Sequence, residues 1–279
     1  MSEPGGVTNL PMWNTPDVAA YYSSLAYVTP CEQSLFDHFL SRGMHILDLG
    51  VGGGRTTPYL SSIAGRYIGA DYAPRMIAEC QKKFPHLEFQ VVDAVDLSRF
   101  ADSSLDAVIM AFNTIDNVIP AESRARALRE IHRVLKPNGI LIFSSHNMWS
   151  IFVRHSWNPK RIEKLALRLL NSDSVFFRPL LWGLTCIRVT IALLKAFALS
   201  TIRVVQRIPR RVFWRGEGYL VDRAHGGTRI HFSTPEKTKQ ELEKLGFHLL
   251  RILGDDYPHR SQLYVTEWYY YVFSAGDGP

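Results

Sequence analysis

Cysteine is scarce. The chain of 279 residues has three, Cys31, Cys80 and Cys186, and they stand far apart. None has the spacing of a zinc ligand set, a redox dithiol or a disulfide framework, so no metal is expected and the setting is that of a reducing cytoplasm. Uncharged apolar runs of about 18 residues are missing too, which argues against a membrane span. Met1-Ser2-Glu3-Pro4-Gly5-Gly6 has neither the basic nor the apolar region of a leader, and no signal peptide is expected. Repeats and low-complexity tracts are absent, so a single core with an insertion accounts for the length.

Acidic charge is scarce in one place. The net charge is +6, yet residues 148–225 hold 14 Lys and Arg against 4 Asp and Glu, which leaves the rest of the chain at −4. One segment carries the basic character of the whole protein.

The rest is organised around His45-Ile46-Leu47-Asp48-Leu49-Gly50-Val51-Gly52-Gly53-Gly54-Arg55-Thr56. A short apolar run reads as a buried strand, the glycines as a tight turn, and Thr56-Thr57 as a helix start. This geometry lets backbone N–H groups approach a ligand at a helix N-terminus. Arg55 stands where a dinucleotide turn has its third glycine, which disfavours a pyrophosphate and with it a nicotinamide oxidoreductase.

Around it, strands are expected at Tyr67–Asp71, Leu87–Val92, Leu105–Ala111 and Ile140–Ser144. Helices are expected at Asp17–Leu25, Cys31–Leu40, from Arg55 to Ala64, from Pro74 to about Phe84, and at Ala121–Leu135, the last closed by a Lys136-Pro137-Asn138-Gly139 turn. Alternation of strand and helix with short links predicts an α/β fold with a mostly parallel sheet covered on both faces. Near the end, Thr234 caps a helix with Pro235 at its first position. Phe247–Leu253 and Leu263–Phe273 then follow without an intervening helix, which predicts an antiparallel pair.

Ligands of such sheets lie beyond the carboxyl ends of the strands. Asp71, 21 residues after Gly50, ends strand 2, where a carboxylate can accept both hydroxyls of a ribose. Asp93 ends strand 3 and can accept from an adenine amino group, with Ala94 leaving room for the ring. Asp48 can orient the glycine loop or meet an ammonium group.

Asp48–Gly54, Gly69-Ala70-Asp71-Tyr72-Ala73-Pro74-Arg75-Met76, Val92-Asp93-Ala94-Val95-Asp96-Leu97 and Arg133–Leu141 resemble, in order, four motifs of the class I S-adenosylmethionine-dependent methyltransferases. The resemblance covers roughly residues 40–147. It implies a Rossmann-like seven-stranded sheet, mostly parallel with an antiparallel C-terminal strand, and a helical insertion between strands 5 and 6. It also implies S-adenosyl-L-methionine as cofactor, with its ribose on Asp71, its adenine at Asp93-Ala94 and its methionine portion along the loop with Gly50, Gly52 and Gly54. Tyr72 stacks beside the adenine or simply packs.

Strands 4 and 5 run into Phe112-Asn113-Thr114-Ile115-Asp116-Asn117 and Ser144-Ser145-His146-Asn147, where the methyl group is expected. His146 is the candidate general base, since its unperturbed pKa lies near neutrality. Asn113 is a cofactor or acceptor contact and Asp116 orients a partner. Asn147, Tyr21, Tyr22, His225 and His231 are candidate acceptor contacts. The spacing of His146, His225 and His231 fits no metal pattern.

Three parts are therefore expected: residues 1–147 as N-terminal helices and cofactor-binding core, 148–225 as a basic, apolar helical insertion, and 226–279 completing the core sheet. Within 175–211, cations fall on one helical face opposite Leu184, Val189, Ile191, Leu194, Leu199, Ile202 and Val205. This segment is a cap or lid, or a peripheral contact with the inner face of a membrane. Nucleic acid is disfavoured, because the cations alternate with bulky aliphatics. The expected activity is O-methylation of a small-molecule, carbohydrate or lipid-linked acceptor. A noncatalytic membrane-associated protein of the same fold is the alternative from another class.

Overall fold

The computed structural model describes residues 9–150, 190–199, 202, 210–222, 227–259 and 266–276. Its centre is a seven-stranded sheet in the order β3-β2-β1-β4-β5-β9-β8. The strands are β1 (His45–Leu49), β2 (Arg66–Asp71), β3 (Glu88–Val91), β4 (Leu105–Met110), β5 (Leu135–His146), β8 (Phe247–Gly254) and β9 (Trp268–Ala275). Only β9 runs against the others.

Alternation along β1 explains its place in the middle. Leu47 and Leu49 point to one face and join Ile68, Val108 and Leu141 in one core cluster. Ile46 points to the other and joins Ala107, Ile109 and Ile142. A strand buried on both faces must be covered by helices on both sides. The far side is closed by the aromatic strand β9, whose Tyr271 and Phe273 stack on Phe143 with centroids 5.1 and 6.1 Å away.

Helices α1 (Leu10–Trp13), α2 (Pro16–Ser23), α3 (Pro30–Phe39), α4 (Thr57–Ile63), α5 (Pro74–Lys83) and α6 (Ala121–Val134) follow the expected order, and α1 adds a turn in a stretch that reads as loose. Thr29 and Glu32 form a reciprocal capping box at the start of α3. The segment 190–199 is helical (α7), followed by α8 (Arg210–Arg215) and α9 (Pro235–Glu243). Thr234 caps α9 as expected, accepting from the Lys237 N–H.

Two expectations are corrected. The stretch Leu135–His146 is one strand. Its first pair with β4 is Leu105 with Leu135, and the register shifts before Ala107 meets Ile140, so the Lys136–Gly139 turn is absorbed as an irregularity. Second, Glu217–Asp222, inside the segment 148–225 expected to be helical, is a strand. It is β6 (Glu217–Asp222) of an antiparallel hairpin with β7 (Thr228–Ser233), with Tyr219 opposite His231. The hairpin docks on the carboxyl end of the sheet through an Asn147–Ser233 bridge and a Met148 N–H bond to Ser233 O at 3.1 Å. The apolar face of the insertion, expected either to cap the site or to meet a membrane, is partly open where it is described. In α7 the small Ala192 and Ala196 are buried, whereas Ile191, Leu194, Leu199 and the nearby Ile202 are exposed. Among the described residues no helix is long and apolar enough to cross a membrane.

Candidate active site

Strand order reverses between β1 and β4, and the chain leaves the two carboxyl ends in opposite directions. The crevice this opens holds a cavity of about 650 Å³. The glycine turn forms its floor. Gly50 has φ +78, and a Cβ there would lie 2.0 Å from Thr114 Cγ2, so only glycine fits. At Gly53 a Cβ would meet the Tyr22 and Ser23 backbone at 2.2–2.4 Å, so the end of α2 lies directly on the turn.

Most cofactor expectations meet here. Asp48, Gly50, Gly52, Asp71, Tyr72, Asp93 and Ala94 all line the cavity, with Tyr22 from α2. Asp48 Oδ2 accepts from Thr56 Oγ1 at 2.8 Å and the Tyr67 hydroxyl at 3.0 Å, and burial pushes the carboxyl up to about 6. Asp71 is locked by backbone donors: Oδ2 accepts from Gly52 N–H and Oδ1 from Ala73 N–H, both at 2.9 Å. Burial pushes it also up to about 6, against those hydrogen bonds. Asp93 is exposed and turns its Oδ1 to the Val95 N–H.

Other candidates stand away from this wall. Gly54 lies off the wall; its φ of +81 and the Phe84 ring, 2.7 Å from a would-be Cβ, give it a packing role. Tyr21 is 62% exposed and only edges against Tyr22. Asn147 is fully buried because β9 arrives beside it: its Nδ2 donates to Thr266 O and the Tyr269 hydroxyl, and its Oδ1 accepts from Trp149 N–H, so no acceptor can reach it. Asn113 is buried in the left-handed region behind the wall, with its N–H on Ser144 Oγ at 2.7 Å. His225 lies outside the described residues.

A second group forms next to the cavity, at the ends of β4, β5 and β7. Asp116 is fully buried, and His146 faces it with Nδ1 2.8 Å from Oδ2. His231 comes from β7 and places Nδ1 3.8 Å from Asp116 Oδ1. Burial raises the Asp116 carboxyl, but the hydrogen bond from His146, the nearby His231 and the Arg124 charge outweigh it and hold it well below the usual carboxylate range. Neither Asp116 nor His231 opens to the cavity as a direct acceptor contact. His146 adjoins it through Asn113, between the wall residues Phe112 and Thr114.

Trp13 and Leu25 reach the wall with no sequence signal of their own, and Phe112, Asn117 and Arg55 stand in motifs that give them no individual role. Arg55 was legible only as a missing glycine. In the structure it pairs with Glu32 at 2.5 and 2.7 Å, and its guanidinium lies 5.0 Å from both the Tyr27 and Phe112 rings. Phe112 and Asn113 are consecutive non-glycine residues at φ +56 and +62, a strained exit from β4 of the kind found at functional sites.

The donor set fits the cofactor the fold implies. The wall carries the carboxylates Asp48, Asp71, Asp93 and Glu122, and its one guanidinium is neutralised by Glu32. Such a wall suits an uncharged nucleoside joined to a cation and offers no cradle for phosphates. Tyr72 also brings a buried hydroxyl with no partner among the described residues.

Comparison with known proteins agrees with this geometry. The sheet is that of solved S-adenosylmethionine-dependent methyltransferases. Residues 47–143 match the model of a methyltransferase domain family, and the fold is that of S-adenosylmethionine-dependent methyltransferases. A demethylmenaquinone methyltransferase of Beutenbergia cavernae is 34% identical over 39% of this chain and 45% of its own length. An uncharacterized methyltransferase of Synechocystis is 31% identical over 48% and 64%. The match therefore spans less than two thirds of these relatives. Among solved structures, the CcbJ methyltransferase of Streptomyces caelestis has a TM-score of 0.59 at 15% identity, over 95% of this chain and 98% of that one. A methyltransferase of Methanosarcina mazei has 0.55 at 18%, over 90% and 99%.

Proposed function

We propose that the protein transfers a methyl group from S-adenosylmethionine to an oxygen of a small-molecule, carbohydrate or lipid-linked acceptor. The observation that carries this reading is the cavity wall: a glycine turn and four carboxylates, with its one arginine already paired. Bound there, the sulfonium supplies an electrophilic methyl and a neutral leaving group. The chain supplies alignment, which accounts for much of the acceleration of an in-line displacement. Asp71 holds the ribose, Asp93 and Ala94 the adenine edge, and Gly50, Gly52 and Asp48 the amino-acid portion. His146, 23% exposed at its side chain, takes the acceptor's proton.

Two observations support a lipid-linked acceptor. Relatives over part of the chain are demethylmenaquinone methyltransferases. On this chain, Ile191, Leu194, Leu199 and Ile202 are exposed around Lys195, and a peripheral contact with a lipid surface would cover them.

Calorimetry with S-adenosylmethionine tests the cofactor half. Asp71→Ala should lower affinity by about 10²-fold, the worth of hydrogen bonds to a charged acceptor; unchanged affinity removes the ribose assignment. Radiolabelled methyl transfer into a lysate of the source cell, partitioned between organic and aqueous phases, tests the acceptor half. Label in the organic phase supports a lipid-linked acceptor, and label only in water removes it.

A further inference from the structure

The proposed base stands against a carboxylate that the cavity does not use. Asp116 Oδ2 accepts both the backbone N–H of His146, at 2.7 Å, and its ring Nδ1, at 2.8 Å. Oδ1 accepts from Ser145 Oγ at 2.7 Å. Behind it, Arg124 Nη1 stands 3.4 Å from Oδ1, held in turn by Ile115 O at 2.9 Å and by Glu241 at 3.1 Å. An ionised carboxylate only accepts, so the nitrogen facing it must carry the hydrogen. Nδ1 is the protonated nitrogen, and the lone pair sits on Nε2. That atom points away from Asp116; the Asn113 side-chain amide stands 3.4 Å off, a long contact that an incoming acceptor hydroxyl replaces.

Resting on His146 as the base, we infer that Asp116 is a positioning residue. By gripping the backbone and the ring of one histidine with a single oxygen, it fixes the Nδ1–H form and presents Nε2 to the acceptor. The device has a use only where the acceptor loses a proton as it is methylated, as a neutral hydroxyl does, and not where the nucleophile arrives already ionised. In that step the acceptor O–H bond breaks and its proton passes to Nε2. The O–C bond forms, the S–C bond breaks and its electron pair stays on sulfur. The positive charge thus moves from the sulfonium to the imidazolium, where Asp116 faces it. The hydrogen bond from His146, the nearby His231 and the Arg124 charge together keep Asp116 ionised for this role, and His231 is the other titratable group against the same carboxylate.

The test uses the full chain labelled with nitrogen-15 in its histidines, with His146→Gln assigning the signals. Neutral His146 should show a protonated Nδ1 and a bare Nε2 without any ligand. In Asp116→Ala the proton should move to Nε2; a retained Nδ1–H form overturns the inference. Asp116→Asn preserves shape should the alanine variant not fold. It should lower kcat by about 10²-fold or more, within what a general base contributes, and leave cofactor affinity unchanged. A fully active Asp116→Asn beside an inactive His146→Gln would overturn the role of Asp116 alone. A fully active His146→Gln would instead remove the base itself.

Discussion

Arg55 and Glu32 close a buried two-point ion pair at the edge of the glycine turn, with side chains 8% and 1% exposed. Glu32 also caps α3 through the Thr29 N–H, and Arg55 donates to Tyr27 O at 2.9 Å. The pair therefore ties the first core helix to the loop that floors the cavity. Removing one partner leaves the other charged and buried. Arg55→Ala should cost about 3–5 kcal/mol of stability, read as a lowered urea midpoint. Arg55→Met, which restores volume without charge, should still leave Glu32 stranded. A midpoint unchanged in both variants would show the pair to be dispensable.

Gly53 gives a test of how α2 covers the site. Its Cα lies against the Tyr22–Ser23 backbone, with no room for a methyl group. Backbone cannot swing aside as a flexible side chain can, so Gly53→Ala should displace α2 and with it the wall residue Tyr22. Cofactor affinity should fall at least about tenfold, roughly 1.4 kcal/mol, while circular dichroism is preserved. At Gly52 a Cβ would meet nothing within 4 Å, so Gly52→Ala carries only the strain of φ +55, about 1–2 kcal/mol. Equal losses of affinity in the two variants would refute α2 as the element responsible.

What the sequence made legible was local. Ile46–Leu49 running into glycines, an acid ending each of the next two strands, and Thr234-Pro235 before a helix are short patterns, and each stands where expected. What it concealed was contact between distant segments. Asn147 looks like a polar residue at a strand end, and only the arrival of Thr266 and Tyr269, more than a hundred residues later, shows that it is spent on structure. Glu217–Asp222 continues a basic, apolar stretch and reads as helix, but pairing with Thr228–Ser233 turns it into a strand. Arg55 shows the same limit, since its partner Glu32 lies 23 residues away in a helix whose own pattern signals only a cap.

Asp48 and Asp71 make the site sensitive to pH in a direction that can be worked out. Burial lifts both from the usual 3.8 to about 6, so the folded protein holds these protons more tightly than the unfolded chain. Their contribution to stability is fully present below about pH 4 and is lost as pH rises through about 6. Asp116 has the opposite sign: its carboxyl is held well below the usual range, and its contribution is lost only as strong acid protonates it. A cationic ligand needs the ionised forms of Asp48 and Asp71. S-Adenosylmethionine affinity should therefore rise through about pH 6, and binding near pH 5.5 should release protons. Calorimetry in two buffers of different ionisation enthalpy reads that release directly. It should vanish near pH 8, where both groups are already ionised. Asp48→Asn should remove part of it and Asp71→Asn another part. A release that neither substitution reduces would place the titrating group outside the cavity.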